Sequence, residues 1–234
     1  MNILKVLFFA VTVFVSCKNN SDAVNKNVGN VEDDTTKGPR TSYLALGDSY
    51  TIGQNVTVDQ RWPVLLAKDL RAQGKLVSPP NIIATTGWTT ADLLRSLETS
   101  PPDKKYDIVS LLIGVNNQYQ GRDLEEYRTE FAKLLVKSVD YADGETNSVF
   151  VLSIPDWGVT PYGISNKDHI AKEIDQFNDV AREECRKMKI LFIDITPISR
   201  KALNDPTMVA SDRLHFSGKM HQLWVNEVLQ HFRF

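Results

Sequence analysis

The chain has 234 residues, 42% of them hydrophobic and 24% charged, which suits one domain with a substantial core and is too short for two. A formal charge of -2 gives no basis for a nucleic-acid partner. The composition is ordinary for a soluble globular protein.

The first forty residues do not belong to that domain. Residues 1–5 carry one positive charge, and residues 6–15 are nearly all apolar. This run is shorter than the roughly 20 residues needed to span a bilayer, and it fits the apolar region of a secretory signal. Ser16-Cys17 follows, and the chain then turns polar at Lys18. A small residue and a cysteine at the end of such a run resemble a bacterial lipoprotein signal. Phe14 stands where that pattern usually has leucine, and Val15 is also off-pattern. The resemblance implies a signal over residues 1–17, lipidation of Cys17 and a membrane-anchored lipoprotein of the bacterial cell envelope. The plainer alternative is a secretory signal with an incidental cysteine. Residues 18–40 are rich in Asn, Asp, Thr, Lys and Gly without periodicity, which predicts a flexible linker. With Cys17 acylated, Cys185 alone remains and no intramolecular disulfide can form.

From residue 41 to 234 strand and helix patterns alternate. Residues 41–46 predict a buried strand, followed by Gly47-Asp48-Ser49 and a polar loop. Trp62, Leu65, Leu66 and Leu70 mark one face of a helix that ends near Gly74, with Pro63 in its first turn. Residues 81–85 predict a second strand, ending at Thr86-Gly87-Trp88. Thr89 or Thr90 then caps a helix carrying Leu93, Leu94 and Leu97. Residues 106–113 predict a third strand, leading into Gly114-Val115-Asn116-Asn117. A helix with Leu124, Tyr127, Phe131, Leu134 and Leu135 follows. Residues 148–154 predict a fourth strand and residues 155–163 an irregular segment. Ile170, Ile174, Phe177, Ala181 and Cys185 share a helix face, so Cys185 is expected as a buried apolar residue. A fifth strand at 190–195 and a loop with Asp212 and His215 precede a last helix capped by Ser217. Strands interleaved with helices imply an α/β fold of three layers, a five-stranded, mostly parallel sheet covered on both faces.

In such a sheet the carboxyl ends of the strands share one edge, so the polar residues just beyond them are neighbours. They are Ser49, Gly87 and Asn116, with Asp212 and His215 from the last loop. Acyl transfer by serine needs a nucleophile, a base and a group that orients the base. Ser49, His215 and Asp212 can fill these roles, provided the turn between Asp212 and His215 is tight. The backbone N–H groups of Ser49 and Gly87 and the side-chain amide of Asn116 suit an oxyanion. Asp48 is expected to bond neighbouring backbone. His169, His221 and His231 fall on helical stretches and are expected at the surface or in packing.

Gly47-Asp48-Ser49, Gly87, Gly114-x-Asn116 and Asp212-x-x-His215, in that order, resemble the four blocks of the SGNH (GDSL-type) hydrolases. The resemblance spans residues 42 to about 231. It implies a flavodoxin-like SGNH hydrolase fold and a serine esterase with an acyl-enzyme mechanism, needing no cofactor and no metal. Two positions depart from the pattern. Tyr50 replaces the leucine that names the motif, away from the chemistry, and Asn117 replaces the usual aspartate, which puts in question the loop network that holds Asn116.

The family does not fix a substrate. Trp88, Tyr119, Trp157 and Tyr162 fall in loops beyond the strand ends, where aromatic rings can stack on sugars or simply pack the loops. With an envelope anchor and no long apolar lid, the reading is a small-molecule or glycan ester with a short acyl group, cleaved by a monomer. An O-acetyl transferase and a catalytically silent glycan-binding lipoprotein are the alternatives.

Overall fold

Five apolar runs form the strands: β1 (Tyr43–Gly47), β2 (Asn81–Ala84), β3 (Ile108–Leu112), β4 (Val149–Leu152) and β5 (Leu191–Ile193). The structure, a computed structural model, describes residues 40–234. The signal expected at 1–17, with lipidation at Cys17, and the linker expected from residue 18, as far as residue 39, lie outside the described residues. The sheet has the order β2-β1-β3-β4-β5 and every described pairing is parallel. Its three central strands are buried at every position, as strands covered on both faces must be. Ser110 is the polar residue among them, and its hydroxyl pairs with that of buried Tyr43 at 2.9 Å.

The helices are α1 (Ser49–Ile52), α2 (Trp62–Ala72), α3 (Thr90–Thr99), α4 (Val115–Tyr119), α5 (Leu124–Tyr141), α6 (Lys167–Met188), α7 (Thr196–Ser199) and α8 (Gly218–His231). The chain steps from β1 to β2 in one direction and from β3 to β5 in the other. Right-handed crossovers therefore put α2 on one face and α3, α5 and α6 on the opposite one. The packing agrees: α2 pairs with α8, while α5 packs against both α3 and α6. Helix α5 buries Tyr127, Phe131, Leu134, Leu135 and Ser138, one stripe at helical spacing. Cys185 is fully buried in α6, and burial pushes its thiol up to about 12. No described helix is long and apolar enough to cross a membrane.

The five strands and the long helices fall where the sequence predicts them, with no strand end displaced by more than two residues. The one-turn helices α1, α4 and α7 occupy stretches read as loop. Ser217 stands at the N-cap of α8, but its hydroxyl donates to the Thr207 carbonyl at 2.8 Å and caps nothing. Thr89 does cap α3, in a capping box with Asp92. Because strand order reverses around β1, the carboxyl ends of β1 and β3 open a crevice, the place where α/β sheets of this kind bind ligands.

Candidate active site

The nucleophile candidate sits where β1 turns into α1. Asp48 is the N-cap of α1, and its carboxylate accepts the Tyr50 N–H at 3.0 Å, the backbone role expected of it. Ser49 is the first helical residue and is nearly buried. Burial raises the Asp48 carboxyl to about 7, against the opposing pull of N–H groups from Tyr50 and Gly114. The Tyr50 ring lies against His215, with centroids 5.8 Å apart, and against Phe216 and Trp224. The departure at Tyr50 is thus not remote from the site: it forms part of the wall behind the histidine.

Asp212 and His215 meet across a tight turn. Arg213, between them, adopts the left-handed conformation at φ 67°. The Asp212 Oδ1 atom accepts the N–H groups of Leu214 and His215, both at 3.0 Å, and Oδ2 lies 2.6 Å from His215 Nδ1. Burial works to raise the Asp212 carboxyl, but the hydrogen bonds from His215 and Leu214 outweigh it and hold the group below the usual carboxylate range. An ionised carboxylate can only accept, so Nδ1 carries its proton and Nε2 is the free base of the neutral ring.

From the neighbouring strands come Gly87 and Asn116. Gly87 has φ 88°, a conformation that side-chain-bearing residues rarely adopt. The Asn116 amide donates one hydrogen to the Trp88 carbonyl at 2.9 Å. An amide nitrogen carries two, which leaves one for a ligand. Ser49, Gly87, Asn116 and His215 line a single cavity of about 180 Å³ with Tyr50, Thr86, Val115, Tyr119, Trp157 and Leu214.

The sequence model of the GDSL-like lipase/acylhydrolase family matches residues 45–223. The chain belongs to the GDSL-like lipase/acylhydrolase family. No curated protein sequence matches it. Among solved structures it is similar to TesA, at 18% identity and TM-score 0.66, over 81% of this chain and 97% of that one. An acetylxylan esterase, Axe2 of Geobacillus stearothermophilus, gives 20% identity and TM-score 0.64 over 83% and 94%. The psychrotrophic esterase EstA of a Pseudoalteromonas species gives 17% and 0.61 over 82% and 96%. These likenesses show the fold; the family match shows the class. The protein is a carboxylic ester hydrolase.

Of the four aromatic residues expected to contact substrate, this GDSL-family cavity is lined by Tyr119 and Trp157 only. The Trp157 indole donates to Gln118 Oε1 at 2.8 Å, and Gln118 in turn donates to Glu173 at 2.8 Å, so the ring is fixed as a wall. Tyr119 is 54% exposed at the rim, its ring 5.5 Å from Trp157. Tyr162 stands outside it, with its hydroxyl 3.2 Å from that of Tyr119. Trp88 does not line the cavity, because its side chain packs against the core and only its carbonyl faces Asn116. His221 is a buried packing residue on Trp224, while His169 and His231 are exposed.

Sequence reasoning missed Asn55. It also takes a positive φ, 61°, and its amide donates to Asp212 Oδ2, the oxygen that faces the histidine. Its position in a polar loop gave no signal beyond the tolerance of asparagine for that conformation.

Proposed function

We propose that the protein hydrolyses short-chain acyl esters, carried on a carbohydrate, through a covalent acyl-serine. The observation that carries this reading is the Asp212–His215 pair opening on the same small cavity as Ser49, Gly87 and Asn116. Ser49 Oγ attacks the ester carbonyl carbon while His215 Nε2 takes its proton. Charge develops on the carbonyl oxygen, where the N–H groups of Ser49 and Gly87 and the Asn116 amide receive it. His215 then protonates the departing alkoxide, and the acyl group stays on Ser49. Water attacks the acyl-serine, giving a proton back to His215, and collapse releases the acid and restores the hydroxyl. Asp212 holds the ring and stabilises the imidazolium at each stage.

The acyl preference is supported by the small cavity, about 180 Å³, which Val115, Leu214 and Trp157 line with apolar surface. The sugar preference is supported by the exposed Tyr119–Tyr162 pair, whose faces and hydroxyls match the alternating C–H and O–H surface of a pyranose, and by the likeness to an acetylxylan esterase. Attachment to the cell envelope through acylated Cys17, with residues 18–40 as tether, completes the reading.

The test compares nitrophenyl esters from acetate to octanoate with acetylated xylo-oligosaccharides, for the protein and its Ser49→Ala variant. Turnover should fall with chain length beyond butyrate, and acetylated oligosaccharide should exceed nitrophenyl acetate in kcat/KM. The S49A variant should lose about 10³-fold or more in kcat. Equal rates for the two proteins would remove Ser49 as nucleophile, and a preference for octanoate would remove the short-acyl assignment.

A further inference from the structure

Asn117 stands uncharged where the family pattern has aspartate, and it is 1% exposed. Both ends of its amide are engaged, and by the same residue. Its Oδ1 accepts the Thr90 N–H at 3.0 Å, and its Nδ2 lies 2.7 Å from Thr90 Oγ1. A backbone N–H can only donate, so it fixes which end of the amide is oxygen and leaves Nδ2 facing the hydroxyl. Thr90 has one hydroxyl proton, and Glu130 Oε2 sits 2.5 Å from it. A carboxylate cannot donate, so the direction is set throughout: Asn117 donates to Thr90, and Thr90 donates to Glu130.

This chain of bonds joins the two loops that carry the oxyanion donors. Thr90 lies three residues after Gly87, and Asn117 directly follows Asn116. With the Asn116–Trp88 bond at 2.9 Å, three hydrogen bonds cross from one loop to the other. We propose that Asn117, Thr90 and Glu130 form a one-way hydrogen-bond relay that sets the spacing of the Gly87 N–H and the Asn116 amide. Glu130, on α5, is the part that makes an asparagine serve at 117. This rests on the assignment of Gly87 and Asn116 as oxyanion donors given above. All three are positioning residues, acting through the loops and not on the substrate.

The direction makes an unusual demand. Aspartate at 117 has the same shape and still accepts the Thr90 N–H. Its second oxygen, however, would compete with Glu130 for a single proton, leaving one carboxylate oxygen unpaired beside a like charge. Glutamine at 130 removes the conflict. Its Nε2 can donate to Thr90 Oγ1, whose proton then passes to the aspartate, and the relay runs in reverse with every group paired.

The experiment is a double-mutant cycle in the full chain, N117D, E130Q and both together, with kcat and KM for nitrophenyl acetate and the inactivation rate by a nitrophenyl alkylphosphonate. That reagent generates a tetrahedral oxyanion, so its rate reports the donors directly. N117D should lose about tenfold or more in kcat and in inactivation rate, with KM within about twofold, since misplaced donors fail only when charge develops. E130Q, whose amide oxygen can still accept from Thr90, should lose less. The double variant should recover to within about threefold of the parent. Melting temperatures, read alongside, ensure that rates are taken on folded protein. N117D with parental kcat, or a double variant no better than N117D, overturns the relay. Should N117D fail to fold, Thr90→Val carries the test: loss of kcat at constant KM supports the relay, and parental kcat overturns it. Asn116→Ala separates the two levels. If it keeps parental kcat, the oxyanion assignment itself fails; if it loses kcat while N117D does not, the relay alone fails.

Discussion

Asp212 receives four hydrogen bonds, from the N–H groups of Leu214 and His215, from His215 Nδ1 and from Asn55 Nδ2. The last two share Oδ2, so Asn55 draws on the charge that steadies the imidazolium. Asn55→Ala should therefore lower kcat/KM several-fold by loosening the carboxylate that holds the ring. Steady-state kinetics on nitrophenyl acetate check it, and a parental kcat/KM would reduce Asn55 to a prop for its loop. The contrast with His215 marks what could be read from sequence at this scale. Asp212-x-x-His215 is a local pattern, and the condition attached to it, a tight turn, is met by Arg213 at positive φ. Asn55 is 157 residues from its partner, and no periodicity or spacing reports a single contact across that distance. Asn117 was visible as a departure, but its partners Thr90 and Glu130 were not.

Buried strands and amphipathic helices were legible because each repeats its signal over several residues, as α5 and α6 do. The one-turn helices were not, because four or five residues carry no period and helix nucleation is unfavourable. Tertiary context builds them, and two carry the site: α1 starts at Ser49 under the Asp48 cap, and α4 starts after Gly114. The turns at the ends of β2 and β3 both need a glycine at positive φ, but in different surroundings. A Cβ at Gly87, φ 88°, meets nothing within 4 Å. At Gly114, φ 128°, it would meet Ile154 Cδ1 and Tyr127 Cε2 at 2.8 Å. Gly87→Ala should thus cost only about 1 kcal/mol of stability from backbone strain, yet reduce kcat by at least about tenfold as its N–H turns away. Gly114→Ala should cost about 3 kcal/mol or more, because strain and overpacking add. Denaturant midpoints and kcat on both variants check this, and equal stability losses would mean that packing at Gly114 relaxes freely.

Across the whole molecule, two buried groups oppose each other in their response to pH. Asp48, at the end of β1, has its carboxyl raised from 3.8 to about 7 by burial. His221, in α8, has its ring lowered from 6.5 to about 4, by burial against the bond its Nδ1 makes with the Gln60 carbonyl at 3.0 Å. Between pH 4 and 6.5 the unfolded chain has Asp48 ionised while the folded chain keeps it protonated. The folded state binds one proton more, and stability falls as pH rises. For His221 the unfolded chain binds the extra proton, so stability rises with pH over the same window. The slopes are equal and opposite, each about 1.4 kcal/mol per pH unit. Acids held below their usual range, Asp212 among them and Asp205 at about 2, lose their stabilisation only as pH falls below about 4, outside this window. The melting temperature should therefore stay nearly level from pH 4.5 to 6.5, a flatness that comes from cancellation and not from absence of titration. Asp48→Asn should expose the histidine alone, giving a Tm that rises by about 5–10 °C across the interval. His221→Gln should expose the aspartate, giving a Tm that falls by a similar amount. Thermal melts of the three proteins at half-unit steps decide it: variants whose curves stay parallel to the parent would mean that neither group changes its proton affinity on folding.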